Sequence, residues 1–123
     1  MQNPNGPSTR EKGAKAEEIA AAHLQKLGYK IIKRNFHFGR VGEIDIVCDD
    51  SGILVFVEVK SGQKSSGIHP LEMVNYRKQN SIRKTAEGYL FVNKIVDKPC
   101  RFDVVTLVFS GDRYNLEHYE NAF

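Results

Sequence analysis

The sequence predicts an α/β domain with elements in the order α, β, β, β, α, β, β. Three observations carry this. Residues 41–60 hold two apolar, β-branched runs around the turn signal Asp49-Asp50-Ser51-Gly52. Two other stretches, residues 11–27 and 70–88, repeat apolar residues at helical spacing. Arg101 to Phe109 is one more strongly β-branched run, and Gly111-Asp112 turns it into a short last strand, Tyr114 to Tyr119.

In chain order, residues 1–10 are rich in Asn, Pro, Gly and Ser, and are expected to form a disordered tail before one domain, 11–123. The first helix carries an apolar stripe of Ala16, Ile19, Ala20, His23, Leu24 and Leu27, and Gly28 ends it. Glu18 lies opposite the stripe and Glu17 on its flank. Glu17 can lean over whatever the helix packs on, or simply favour the helix dipole. Tyr29 to Phe36 reads as a strand ending in basic Lys33 and Arg34, and His37 to Arg40 as a loop. Ser61 to Gly67 reads as a polar, mobile loop, and Pro70 as the start of the second helix. Ile82, Ala86 and Tyr89 form that helix's apolar stripe; Arg77, Lys78, Arg83 and Lys84 form a basic surface or a solvated face. Leu90 to Pro99 reads as a short apolar piece and a turn.

A chain of 123 residues, 41% hydrophobic and 27% charged, suits a single core. No apolar run is long enough to cross a membrane and no secretory segment appears, so a cytoplasmic protein is expected. Cys48 and Cys100 make neither a disulfide framework nor a zinc spacing, and both read as small core residues. The four histidines have no metal-pair spacing and receive no role. The net charge of +3 is compatible with a phosphate-bearing partner.

The chemistry concentrates in the hairpin, which places Glu43, Asp45, Glu58 and Lys60 in an apolar context. Strand alternation puts Glu43, Asp45 and Val47 on one face, with Phe56, Glu58 and Lys60 beside them, and Ile44, Ile46 and Cys48 on the other. A turn closing around Asp50-Ser51 pairs Glu43 with Glu58 and Asp45 with Phe56, leaving Asp45 and Glu58 on a diagonal roughly 7–8 Å apart. Two readings follow. Converging carboxylates can hold a divalent cation that relieves their repulsion, or Lys60 can close a salt-bridge network with Asp45 or Glu58.

Gly42-Glu43-Ile44-Asp45 followed by Phe56-Val57-Glu58-Val59-Lys60 resembles the PD-(D/E)xK nuclease signature. With Lys12-Gly13-Ala14-Lys15-Ala16-Glu17, Gly28-Tyr29, Arg34-Asn35 and Arg101-Phe102-Asp103-Val104-Val105, the chain from Lys12 to Phe109 resembles the YraN-like uncharacterised family of small bacterial proteins. That family is similar to archaeal Holliday-junction resolvases. The resemblance implies a restriction-endonuclease-like αβββαβ core with a mixed sheet flanked by helices. It implies that Asp45, Glu58 and the Val59 carbonyl ligate Mg²⁺ (or Mn²⁺), that Lys60 positions the attacking water, and that Glu17 binds a water of the metal. Glu43 belongs to the YraN-like pattern alone and is expected to support the ligands. Two departures are visible: Ile44 replaces the proline of the signature, and Gly62 stands where many YraN-like proteins are basic, with Lys64 as an alternative phosphate contact.

The leading expectation is a Mg²⁺-dependent endonuclease acting on DNA, branched or damaged, with Lys33, Arg34, Arg77, Lys78 and Arg83 as phosphate contacts. The alternatives are a non-catalytic nucleic-acid-binding module and a nuclease-like subunit recruited by a DNA-repair protein. A homodimer is compatible with a four-way junction, which has two strands to cut, and no membrane role is expected.

Overall fold

A computed structural model describes residues 9–123. The expected tail over 1–10 lies outside the described residues except for Thr9 and Arg10, which begin the first helix. The chain runs α1 (Thr9–Lys26), β1 (Lys30–Phe38), β2 (Gly42–Asp50), β3 (Ile53–Gln63), 3₁₀ turns at Lys64–Ser66 and Pro70–Met73, α2 (Tyr76–Val92), β4 (Cys100–Ser110) and β5 (Arg113–Tyr119). The five strands form one sheet in sequence order. Short connections make β1–β2, β2–β3 and β4–β5 antiparallel, whereas the crossover through α2 brings β4 parallel to β3. This is a restriction-endonuclease-like αβββαβ core with a mixed sheet flanked by helices, extended by β5.

Each helix covers one face. Ala16, Ala20, Ala21 and Leu24 of α1 pack on Ile46, Cys48, Val55, Val57, Val105, Leu107 and Phe109. Complete burial of a side chain such as Leu24 contributes about 1.5–3 kcal/mol. Leu27, expected in this stripe, lies beyond the last helical residue and is exposed; Ala21 takes its place. On the other face Ile82, Ala86 and Tyr89 of α2 pack on Ile44, Val47, Leu54 and Phe56. This helix comes close to the sheet because Gly42 and Gly88 carry no side chain. A Cβ on Gly42 would lie 2.5 Å from Ser81 Oγ, and one on Gly88 would lie 2.5 Å from the Phe38 ring.

Several expected boundaries move. Pro70 opens a 3₁₀ turn, not α2; Val74 and Asn75 leave helical geometry, and α2 starts at Tyr76 with the Asn75 carboxamide oxygen accepting the Lys78 N–H at 2.9 Å. Ser61–Gln63, expected in a mobile loop, extend β3 because β4 pairs with them as far as Gln63 and Phe109. His37 and Phe38 likewise extend β1 by pairing with Glu43 and Gly42. Residues 90–92 complete α2. Cys48 is buried as expected, but Cys100 is exposed, standing at the first position of β4.

Candidate functional site

The hairpin turn consists of Ser51 and Gly52, both with left-handed backbone (φ 50° and 94°), so Asp50 pairs with Ile53. Positive φ at both central positions matches the twist of the flanking strands better than a turn centred one residue earlier. The register is therefore shifted by two residues from the expected one: Val47, not Asp45, pairs with Phe56, and Glu43 does not pair with Glu58. The ladder ends at Ile46 and Val57, and one further step sets Asp45 opposite Glu58. The two carboxylates thus stand directly across the strand gap, not on a diagonal.

Strand alternation also breaks at Asp45. Ile46 belongs to the cluster under α1, but Ile44 packs under α2. Glu43 is consequently turned toward α1, away from the face that Glu58 shares with Phe56. Beyond Val57 the two strands are joined by a side chain: the Val59 N–H donates to Asp45 Oδ2 at 2.7 Å. Burial, then a hydrogen bond and charge repulsion from Glu58, push the Asp45 carboxyl well above the usual carboxylate range.

Glu58 is 2% exposed. Its cationic partner is Lys78 of α2, with Nζ 3.3 Å from Oε2. That contact lacks hydrogen-bond alignment, and Oε2 is buried without a hydrogen bond. Lys60 is half-buried two residues further along β3, beside Thr106 of β4. Neither Lys60–Glu58 nor Lys60–Asp45 forms an ion pair among the described residues. The expected salt bridge from Lys60 is therefore not formed; Glu58 is paired instead with Lys78, a residue of α2 that the hairpin alone does not contain.

On the α1 side, Glu17 is half-buried and 3.7 Å from Arg34 Nη2; Arg34 makes a closer contact, 2.7 Å, to Glu18. With its amide oriented to satisfy its neighbours, Asn35 donates to Glu43 Oε1 at 2.9 Å and to Glu17 Oε1 at 3.1 Å. Burial and the Asp45 carboxylate raise the Glu17 pKa, outweighing Arg34 and Asn35, with Glu43 adding to the rise. Asp45 thus lies between two acidic groups: Glu17 and Glu43 held by Asn35 on one side, Glu58 held by Lys78 on the other.

The donor chemistry fits a hard divalent cation. Carboxylate oxygens converge, one buried oxygen lacks a hydrogen bond, and the negative charge is met within the protein by the Lys78 ammonium and the Val59 N–H. Among the described residues, no group of three or more His, Cys, Asp or Glu side chains forms a metal cluster. The protein's share would be Asp45, Glu58 and the Val59 carbonyl, a sparse oxygen set of the kind that suits Mg²⁺ with its retained waters.

The basic residues do not form one open surface. Lys33, Arg77 and Arg83 are exposed. Arg34 is engaged with Glu17 and Glu18, Lys78 with Glu58, and the Arg83 guanidinium lies 5.2 Å from the ring centres of both Phe102 and Phe123. At Gly62 an added Cβ would lie 3.3 Å from Pro70 Cγ, so the segment after β3 folds closely over this position and leaves little room for a basic side chain there.

Sequence reasoning missed Asn35 as a bridge and Lys78 as the partner of Glu58. It also gave no role to His23 and His118. Their rings are hydrogen-bonded at 3.0 Å, and His118 Nε2 is 2.8 Å from Asp103, which also accepts from Arg101. The left-handed φ of 54° at Asn35 is tolerated by Asn better than by most residues, which was the one local signal available.

The profile of the Uncharacterised protein family UPF0102 matches residues 16–107. A UPF0102 protein of Persephonella marina is 39% identical over 112 residues, covering 91% of this chain and 92% of that protein. One from Desulforamulus reducens is 41% identical (89% and 93% covered), and one from Chlorobaculum parvum is 42% identical (90% and 90% covered). The matched span contains Glu17, Asn35, Glu43, Asp45, Glu58, Lys60 and Lys78. On full-length similarity to these proteins and on the profile match, the chain belongs to the UPF0102 family.

Proposed function

We propose that this protein is a Mg²⁺-dependent endonuclease that hydrolyses DNA phosphodiesters at branched or damaged sites, working in the cytoplasm. The observation that carries the reading is the facing of Asp45 and Glu58 where β2 and β3 part, with Lys60 two residues beyond on the face of Glu58. When bound, a divalent cation supplies charge stabilisation for the phosphoryl oxygen and for an attacking water.

The residues divide the remaining work. Asp45 and Glu58 supply charged oxygens, and the Val59 N–H fixes the Asp45 rotamer. Lys60, in no ion pair among the described residues, has an ammonium available to orient water or to meet charge developing on phosphate. Glu17, through Asn35, is placed to hold a water near Asp45. Exposed Lys33, Arg77 and Arg83 are the first phosphate contacts in this reading; Arg34 and Lys78 contribute after giving up their present partners. The free thiols of Cys48 and Cys100 suit a reducing compartment.

The test is cleavage of labelled four-way, flapped and linear DNA with Mg²⁺ or with chelator. The reading expects metal-dependent cutting of at least the four-way or flapped DNA. Salt-dependent binding without any cutting would replace it with the nucleic-acid-binding module.

A further inference from the structure

Lys78 occupies an electrostatically awkward place. It is the third residue of α2, where the helix dipole disfavours cations, and the first turn of α2 contains no acidic residue. Its neighbour Arg77 adds a second positive charge to the same turn. Such a helix start attracts anions. The anion it holds is Glu58, whose Oε2 lies 3.3 Å from Lys78 Nζ, is buried, and receives no hydrogen bond. The Lys78 charge also acts on Asp45. Its side chain remains about one-third exposed, so it can swing into solvent without unpacking the core.

We propose that Lys78 is a placeholder cation. Its ammonium neutralises Glu58 until a divalent ion takes over that role, and the displaced Lys78 then binds a phosphate of the substrate together with Arg77. The inference rests on the metal-dependent nuclease reading and adds a coupling to it. Metal and nucleic acid each remove the cost of releasing Lys78 for the other, so each tightens binding of the other by the same factor. The phosphate provides the anion that the α2 turn would otherwise lose when Glu58 turns to the metal.

The test uses Mn²⁺ alone, with free Mn²⁺ followed by electron paramagnetic resonance, on the unmodified chain and on Lys78→Met, Lys78→Arg and Glu58→Gln. Removing the competing ammonium should tighten Mn²⁺ binding about tenfold in Lys78→Met, while Lys78→Arg should retain the weaker affinity. In a second arm, binding of four-way DNA is followed by fluorescence anisotropy with Ca²⁺ or with chelator. The gain in DNA affinity caused by Ca²⁺ should be clear in the unmodified chain and smaller in Lys78→Met. If Lys78→Met binds Mn²⁺ no more tightly than the unmodified chain while Glu58→Gln loses binding, the placeholder role is wrong and the metal site stands. If the unmodified chain and Lys78→Met both fail to bind Mn²⁺, the metal reading falls and the placeholder role with it.

Discussion

Asp45 and Val59 are joined across the parting strands by a hydrogen bond from a main-chain N–H to a carboxylate oxygen at 2.7 Å. The bond ties the break in strand alternation at Asp45 to the segment that carries Glu58 and Lys60. It gives Asp45 a structural task beside its proposed chemical one, and substitutions can separate the two. Asp45→Asn keeps an acceptor for Val59 and removes repulsion toward Glu58, so its melting temperature should equal or exceed that of the parent while divalent-ion binding is lost. Asp45→Ala leaves the Val59 N–H without its acceptor and should cost about 1–3 kcal/mol. Thermal denaturation and calorimetric Mn²⁺ titration of both variants check this.

Glu17→Gln should leave the fold intact. The carboxamide oxygen can still accept from Asn35, Arg34 retains Glu18, and the repulsion from Asp45 and Glu43 disappears. The cleavage rate at limiting Mg²⁺ should nevertheless fall. A normal rate with an unchanged melting temperature would return Glu17 to a helix-dipole role.

Glu58→Gln and Lys60→Ala should part metal binding from water activation. Glu58→Gln removes a negative charge and should weaken both divalent-ion affinity and cleavage. Lys60→Ala removes a positive charge, so binding should be kept or tightened while most cleavage is lost. Metal titration of each variant beside its cleavage rate makes the comparison.

The network at Asp103 predicts an acid limit to stability. Burial alone would raise the Asp103 carboxyl, but hydrogen bonds from His118, Arg101 and the Asn121 N–H reverse this and hold its pKa below the ordinary value. A carboxyl whose folded pKa is depressed contributes stability that is complete above its unfolded pKa and lost as pH falls through the folded one. Denaturant unfolding should therefore show stability declining below about pH 4. Asp103→Asn should flatten that decline and destabilise the protein near neutrality, because it removes the charge that Arg101 and His118 meet, although Arg101 keeps Asp50.

The order of elements and the faces of both helices were legible in the sequence. Periodicity decides both, as with Ala16, Ala20 and Leu24 on α1 or Ile82, Ala86 and Tyr89 on α2. The register was not, because Asp49-Asp50-Ser51-Gly52 admits more than one turn and only the backbone preference of Ser51-Gly52 selects between them. A shift of two residues preserves every face, so the hydrophobic pattern could not detect the error. The same pattern could not reveal the break at Asp45, which depends on α2 packing over Ile44. Nor could it reveal that Lys78, 20 positions beyond Glu58, would be its counterion. That pairing belongs to the tertiary structure.

The central claim is that Asp45 and Glu58 together hold a divalent cation. Anomalous diffraction from crystals soaked in Mn²⁺ tests it most directly. The account predicts an anomalous peak between the two carboxylates, within roughly 2.0–2.4 Å of an oxygen of each, with Lys78 withdrawn from Glu58. Crystals showing no peak there, with the Asp45–Val59 and Glu58–Lys78 contacts unchanged at saturating Mn²⁺, would contradict it.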